Sequence, residues 1–149
     1  MSSLYQARPR KVRILSAFVA VIFVAVFTVV AILLRNTPTG VYFYLSDQIA
    51  MVCVGILLAI GALMFGRPRV RADLKGVEVR NMLGSRRYAW DEIEHVSFPE
   101  SSAWARLELP DDEYVPVLAV QAIDGERAVV AMRELRRLRR EALEAAETA

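Results

Sequence analysis

Two apolar runs, Ile14–Leu34 and about Ile49–Phe65, stand ahead of a charged half whose apolar residues alternate along the chain. Neither run holds an Asp, Glu, Lys or Arg. The first is as long as a helix must be to cross a hydrocarbon core of ~30 Å. The second lies near the lower limit, with Ser46, Gln48 and the aromatics before it placed to sit at the interface. The pattern predicts a basic cytoplasmic tail at 1–13, a transmembrane hairpin at 14–66 (spans at 14–34 and about 47–66) and a cytoplasmic domain at 67–149. The first run exceeds the ~7–15-residue apolar segment of a signal peptide. Its end, Ala31-Ile32-Leu33-Leu34-Arg35, offers no small-x-small cleavage site, so it reads as an uncleaved anchor.

The net charge of +2 is unevenly spread. Arg8, Arg10, Lys11 and Arg13 stand together with no acid, whereas from Arg67 onward fourteen basic residues face sixteen acidic ones. A nucleic-acid-binding domain carries a basic face, and this near-neutral module argues against a nucleic-acid partner. Lys and Arg near span ends set orientation. The tail basics and Arg67, Arg69 and Arg71 outweigh Arg35, which Asp47 offsets, so both termini are expected in the cytoplasm of a multi-pass cell-membrane protein, with Asn36–Asp47 outside.

Between helices in lipid, close backbone approach replaces the hydrophobic effect as the reason to associate. Ala17, Ala20, Val24, Thr28 and Ala31 fall on one face of the first span, and Gly55, Ala59, Ala62 and Gly66 on one face of the second. These faces either meet within the hairpin or dock another membrane subunit. Tyr42, Phe43 and Tyr44 form an interfacial belt. Cys53, the single cysteine, lies mid-span and can make no intrachain disulfide.

Beyond the spans the apolar period becomes two. Val70, Ala72 and Leu74 alternate with charged residues, Lys75-Gly76 turns, and Val77 and Val79 complete a hairpin. Leu83-Gly84-Ser85 leads into Arg86–Trp90, an acidic turn at Asp91-Glu92-Ile93, and a strand at His95–Phe98. Ala103, Ala105, Leu107 and Leu109 share one face, with Trp104, Arg106 and Glu108 on the other, before a strand at Tyr114–Leu118. Asp124 then serves as an N-cap. Ala128, Ala131, Met132, Leu135, Leu138 and Ala142 make a helical stripe that closes the open end of a bent sheet.

The segments Val70–Asp73, Gly76-Val77-Glu78-Val79-Arg80, Gly84-Ser85-Arg86, Trp90-Asp91-Glu92-Ile93 and Trp104-Ala105-Arg106 resemble the small PH-like domains of actinobacteria. These are grouped with low-molecular-weight protein antigen 6 and usually stand behind two membrane spans. The resemblance covers Arg67 to about Leu138 and the hairpin arrangement. It implies an α+β fold, a PH-like antiparallel β-barrel or sandwich closed by a C-terminal amphipathic helix, and no particular activity.

An enzyme needs a nucleophile with a base, a metal site or a phosphate loop. His95 is the only histidine, Gly84 and Gly125 are isolated, and Asp111-Asp112-Glu113 beside Pro110 reads as a hairpin turn rather than a cation site. No catalytic activity, metal or cofactor is expected. PH-like domains that grip phosphoinositides tend to gather basics around the first hairpin loop, where this chain has Lys75 alone. A headgroup site on the module would draw on Lys75, Arg80 and Arg86. A diffuse contact with anionic lipid would instead use Arg8, Arg10, Lys11, Arg13, Arg67, Arg69 and Arg71. Trp104 beside Arg106 suits a protein contact, and the helix run Arg133–Arg140 is either a solvated face or a docking surface. Three readings follow: a membrane-anchored interaction or scaffold protein that binds a membrane protein or itself; an accessory subunit of a larger assembly, respiratory or transport; and an anionic-lipid sensor at the inner leaflet.

Overall fold

The computed structural model describes residues 4–38 and 40–149; Met1–Ser3 of the tail and Thr39 of the loop lie outside them. Val12–Gly66 form one compact unit, and the chain up to Lys11 together with Arg67–Ala149 forms the other.

The first unit is a helical hairpin. Helix α1 (Arg10–Asn36) and helix α2 (Leu45–Met64) are each long and apolar enough to cross a membrane. Pro9, whose fixed φ suits a helix start, stands directly before α1. Asp47 begins α2 by accepting the Tyr44 backbone N–H at 2.9 Å, satisfying a donor that the helix leaves unpaired. Near the loop, Arg35 donates to the Gln48 side-chain oxygen at 2.9 Å. Large apolar side chains such as Phe18, Val21 and Leu57 point outward, as expected of helices that are apolar all round.

The second unit is a two-sheet sandwich. Strands β1 (Tyr5–Ala7), β2 (Arg69–Asp73), β3 (Gly76–Arg80) and β4 (Ser85–Tyr88) form one antiparallel sheet in that order. Strands β5 (His95–Ser97), β6 (Trp104–Glu108) and β7 (Tyr114–Gln121) form the other. The sheets are not closed into a barrel. Their inner faces supply Val70, Ala72, Val77, Val79 and Tyr88 from one side and Val96, Ala105, Leu107, Val117 and Ala119 from the other. Helix α3 (Glu126–Glu147) completes this core with Ala128, Ala131, Met132, Leu135 and Leu138. Trp90 and Ile93 are buried between, and the Trp90 indole N–H donates to the Asp73 carbonyl at 2.7 Å. Asn81, just after β3, acts as a clasp to β7: its amide donates to the Pro116 carbonyl at 2.9 Å and accepts the Leu118 N–H at 3.4 Å.

Strand β1 is absent from the expectation above, which treats residues 1–13 as a tail. Tyr5, Gln6 and Ala7 pair with Ala72, Arg71 and Val70, so the apolar hairpin is an insertion between two neighbouring strands of one sheet. Tyr5 and Ala7 pack on the core. Burial, with Glu134 of α3 adding to it, raises the Tyr5 phenol above its ordinary pKa. A second difference concerns Asp124. The N-cap of α3 is Gly125, at φ +58°, a conformation that favours glycine. The buried Asp124 carboxylate instead accepts the Lys11 backbone N–H at 3.3 Å, in the first turn of α1. The carboxylate goes to the helix start that lacks any acid of its own. Strand β7 also runs on to Gln121, past the expected end at Leu118.

Candidate interaction surfaces

Two outer faces of the sandwich carry the polar residues singled out by sequence. On the second sheet, the register sets His95 opposite Glu108 and Ser97 opposite Arg106, with Arg106 also opposite Pro116 and Glu108 opposite Tyr114. Trp104 pairs with Gln121 and Ala105 with Val117, so the register shifts between them and the ladder is locally disrupted. Trp104 is 38% exposed and Tyr114 53%, while Ala105 and Leu107 between them are fully buried. The Arg106 guanidinium lies 4.5 Å from the Tyr114 ring centroid, within cation–π range. Its Nε is shielded from solvent without a hydrogen-bond partner. The face therefore presents two large aromatics and an arginine on a rigid strand pair, a composition enriched where proteins bind proteins. Tyr114 had no signal as a surface residue in sequence, because its role emerges only from the β6–β7 register.

The run Arg133–Arg140 divides. Arg136 and Arg139 donate through Nε to the Val96 and Ile93 carbonyls, each at 3.0 Å, and so cover the free edge of β5. Arg137 bridges Glu134 at 2.7 Å and Glu141 at 2.8 Å, and these hydrogen bonds raise its pKa. Only Arg133 and Arg140 remain exposed and unengaged among these.

The first sheet gathers charge on its outer face. Arg71 stands between Gln6 and Glu78, Glu78 opposite Arg87, and Arg69 directly opposite Arg80. Asp73 is engaged in the β2–β3 turn, accepting the Lys75 and Gly76 N–H groups at 2.8 and 3.1 Å and both contacts of the Arg87 guanidinium at 2.8 Å. Partial burial pushes its carboxyl up, but the Arg87 and backbone hydrogen bonds outweigh this and hold it below its ordinary pKa. Lys75 is exposed in that turn. Arg86 belongs to the opposite side of the sheet, opposite Val79, with its guanidinium 5.2 Å from the Tyr88 ring centroid. Lys75, Arg80 and Arg86 are thus not one constellation. Of the diffuse set, Arg8, Arg10, Lys11, Arg13 and Arg67 are exposed, and Arg69 and Arg71 are half-buried in β2.

In the hairpin, a Cβ at Gly55 would come 2.6 Å from the Phe27 Cβ, and one at Gly66 would lie 3.0 Å from Ser16 Oγ. Ala59 is buried and Ala62 half-buried. On α1, Ala20 and Ala31 are buried, Thr28 half-buried, and Ala17 and Val24 exposed.

His95 is exposed at the β5 edge. Asp111 and Asp112 take φ +64° and +59° in the β6–β7 turn, a mirror-image turn that suits a hairpin. Among the described residues no group of three His, Cys, Asp or Glu side chains is placed to hold a metal.

A family model described as a bacterial PH domain matches residues 67–138. Uncharacterized protein Rv1417 of Mycobacterium tuberculosis is 47% identical over 125 residues, 83% of this chain and 81% of its own length. Uncharacterized protein Mb1452 of Mycobacterium bovis shows the same identity and coverage. A match of that length is longer than Arg67–Ala149 and so reaches back into the apolar hairpin. Low molecular weight protein antigen 6 of Mycobacterium tuberculosis is 43% identical over 54 residues, 36% of this chain and 47% of its own length. No solved structure gives a significant match.

Proposed function

We propose that this chain, which belongs to the bacterial PH domain family, is a membrane-anchored interaction module without catalytic activity that receives a protein partner on the outer face of its second sheet. The observation that carries this reading is Trp104, 38% exposed on a strand whose neighbours Ala105 and Leu107 are fully buried, on the face that also carries Arg106 and Tyr114. A half-exposed Trp on a rigid strand pair gives a partner a large apolar contact at little cost in conformational entropy. The two apolar helices support a location in the cell membrane. The basic residues before α1 and after α2 support cytoplasmic placement of the module and both termini.

A second reading, an accessory subunit held by a larger membrane assembly through its spans, draws on Ala17 and Val24, the members of the α1 small-residue face that α2 leaves exposed. The two readings separate by co-purification of the full chain from its native membrane in mild detergent. The interaction reading expects a stoichiometric protein that Trp104→Ala releases while the melting temperature stays unchanged. A partner that survives Trp104→Ala but is lost with Ala17→Leu/Val24→Phe sinks it in favour of the second. Orientation is tested in a Cys53→Ala background, where a cysteine at Thr37 should react with an impermeant label in intact cells and one at Ser101 should not.

A further inference from the structure

The two turns at opposite ends of the first sheet differ in character. The β2–β3 turn is polar, with Asp73 accepting the Lys75 and Gly76 N–H groups and Leu74 40% exposed. The β3–β4 turn, Asn81-Met82-Leu83-Gly84, presents Leu83 at 93% exposure, more than any other large apolar side chain among the described residues. A leucine left so bare draws no stability from burial in the fold. Yet the turn is firmly built. The Asn81 N–H donates to the Gly84 carbonyl at 2.9 Å, and the Asn81 side chain ties the base of the turn to β7. Beside Met82 and Leu83 lies an open cavity of about 380 Å³, walled by Val79, Tyr88, Val115 and Leu118. No acid borders it, and of the residues that do, Arg86 alone is charged. An exposed Leu that continues into an apolar cavity forms a contiguous site, unlike the single apolar residues scattered over any protein surface.

The topology indicates what covers it. Strand β1 ends at Ala7, opposite Val70, where the chain departs for the apolar hairpin, and it returns at Arg69, which opens β2 opposite Arg80. Asn81 is the next residue after Arg80, so the β3–β4 turn stands at the end of the sheet to which both hairpin helices are joined. Arg69 follows Gly66, the last residue of the hairpin unit, by three residues, no more than roughly 11 Å of extended chain. Strand neighbours lie only ~4.8 Å apart. A tether that short keeps the turn within reach of the leaflet at which the helices begin and end. We infer that the turn is a further membrane contact: Met82 and Leu83 enter the cytoplasmic leaflet, and a segment of lipid acyl chain fills the cavity beside them. They settle at the headgroup–acyl boundary, the ~5–10 Å depth that interfacial apolar faces reach. Arg86 on the cavity rim keeps its charged end in the headgroup layer while its stem lies along apolar surface. The contact draws on apolar burial and needs no charge on the lipid. It rests on the membrane-anchored reading above.

The test uses the full chain in vesicles of phosphatidylcholine alone, in a Cys53→Ala background. Leu83→Cys, Leu74→Cys and Val21→Cys each carry a nitrobenzoxadiazole label, and Val21, exposed on α1, reports the span. The Leu83→Cys label should show blue-shifted emission and be quenched by a nitroxide placed high on the lipid acyl chain several-fold more strongly than the Leu74→Cys label. Hydrogen exchange tests the turn without a label. The backbone amides of Met82–Ser85 should exchange several-fold more slowly in vesicles of the unlabelled chain than in Met82→Ser/Leu83→Ser. Quenching at Val21→Cys but not at Leu83→Cys overturns the inference and leaves the anchored reading standing. No quenching at Val21→Cys overturns both. A blue shift at Leu83→Cys without lipid quenching means that protein covers the turn, and it too overturns the inference, as does equal exchange with and without the two serines.

Discussion

Strand β1 makes the module depend on residues that lie on the far side of the apolar hairpin in sequence, and this dependence can be measured. Ala7 is the direct partner of Val70, so the chain can turn from Arg8 to Arg69 through two residues. Asn-Gly is the natural choice, because it adopts the mirror-image turn that hairpins favour. Two soluble versions are compared: Leu4–Arg8 joined by Asn-Gly to Arg69–Ala149, and Arg67–Ala149 alone. The second loses the packing of Tyr5 and Ala7 on the core. Half of a tyrosine's ~200 Å² at ~25 cal/mol/Å² contributes about 2.5 kcal/mol. The β1–β2 hydrogen bonds add about 1 kcal/mol each, an amount largely offset by the ~1–2 kcal/mol per residue needed to order the strand. The expected difference is therefore about 2–3 kcal/mol, or a midpoint lower by roughly 10–20 °C for a domain of this size. The bare edge of β2 should also drive self-association. Circular-dichroism melts and size-exclusion chromatography read both effects, and Tyr5→Ala in the joined version should reproduce most of the thermal loss. Midpoints within about 2 °C of each other, with both versions monodisperse, would refute the claim that β1 stabilises the sandwich.

Three further outcomes are expected. Leu135 is fully buried in the core, so Leu135→Ala should cost about 2–5 kcal/mol. Leu135→Asp, which leaves a carboxylate there without a partner, should abolish the cooperative melt, and a sharp transition in Leu135→Asp would show that α3 does not close the core. Asp73→Asn keeps acceptors for the turn but loses the ion pair, an effect of under about 1 kcal/mol at neutral pH for so exposed a partner as Arg87. Because the folded carboxyl pKa is lowered, that contribution is present above about pH 4 and is lost as pH falls through the folded pKa, so the two melting curves should converge in acid. Gly55→Val, which drives a side chain into Phe27, should destabilise the hairpin in detergent by about 1–3 kcal/mol, with Phe27→Ala restoring much of it; an unshifted melt in Gly55→Val would mean the helices do not approach at that point.

What the sequence made legible follows from the length of each pattern. Twenty apolar residues, or five residues in strict alternation, leave few alternatives, so α1, α2, β2, β3, β6 and α3 could be placed from the chain alone. Tyr5–Ala7 is only three residues, ends at Pro9, and has its partner beyond the hairpin at Val70–Ala72. No local signal reports such a pairing. Spacing alone makes Asp124 an N-cap, but the Lys11 N–H that donates to its carboxylate is remote in sequence. The same limit applies to the surfaces. Trp104 and Arg106 were legible because they alternate within one strand, whereas the pairing of Arg69 with Arg80 and of Glu108 with Tyr114 depends on register. Arg69 and Arg71 could be counted as basic residues near the membrane, but their unpartnered Nε atoms become visible only once β2 lies between β1 and β3.

The central claim, that a protein partner docks on the Trp104 face of a membrane-anchored PH-like module, is tested most directly by site-specific photo-crosslinking in intact cells. Benzoylphenylalanine replaces Trp104 in one full-length variant, Tyr114 in a second, and exposed Glu144 near the end of α3 in a third. The account predicts one discrete adduct of the same mass from Trp104 and Tyr114, recovered in the membrane fraction, and none from Glu144. No adduct from either aromatic position, or an adduct pattern identical at all three, would contradict it.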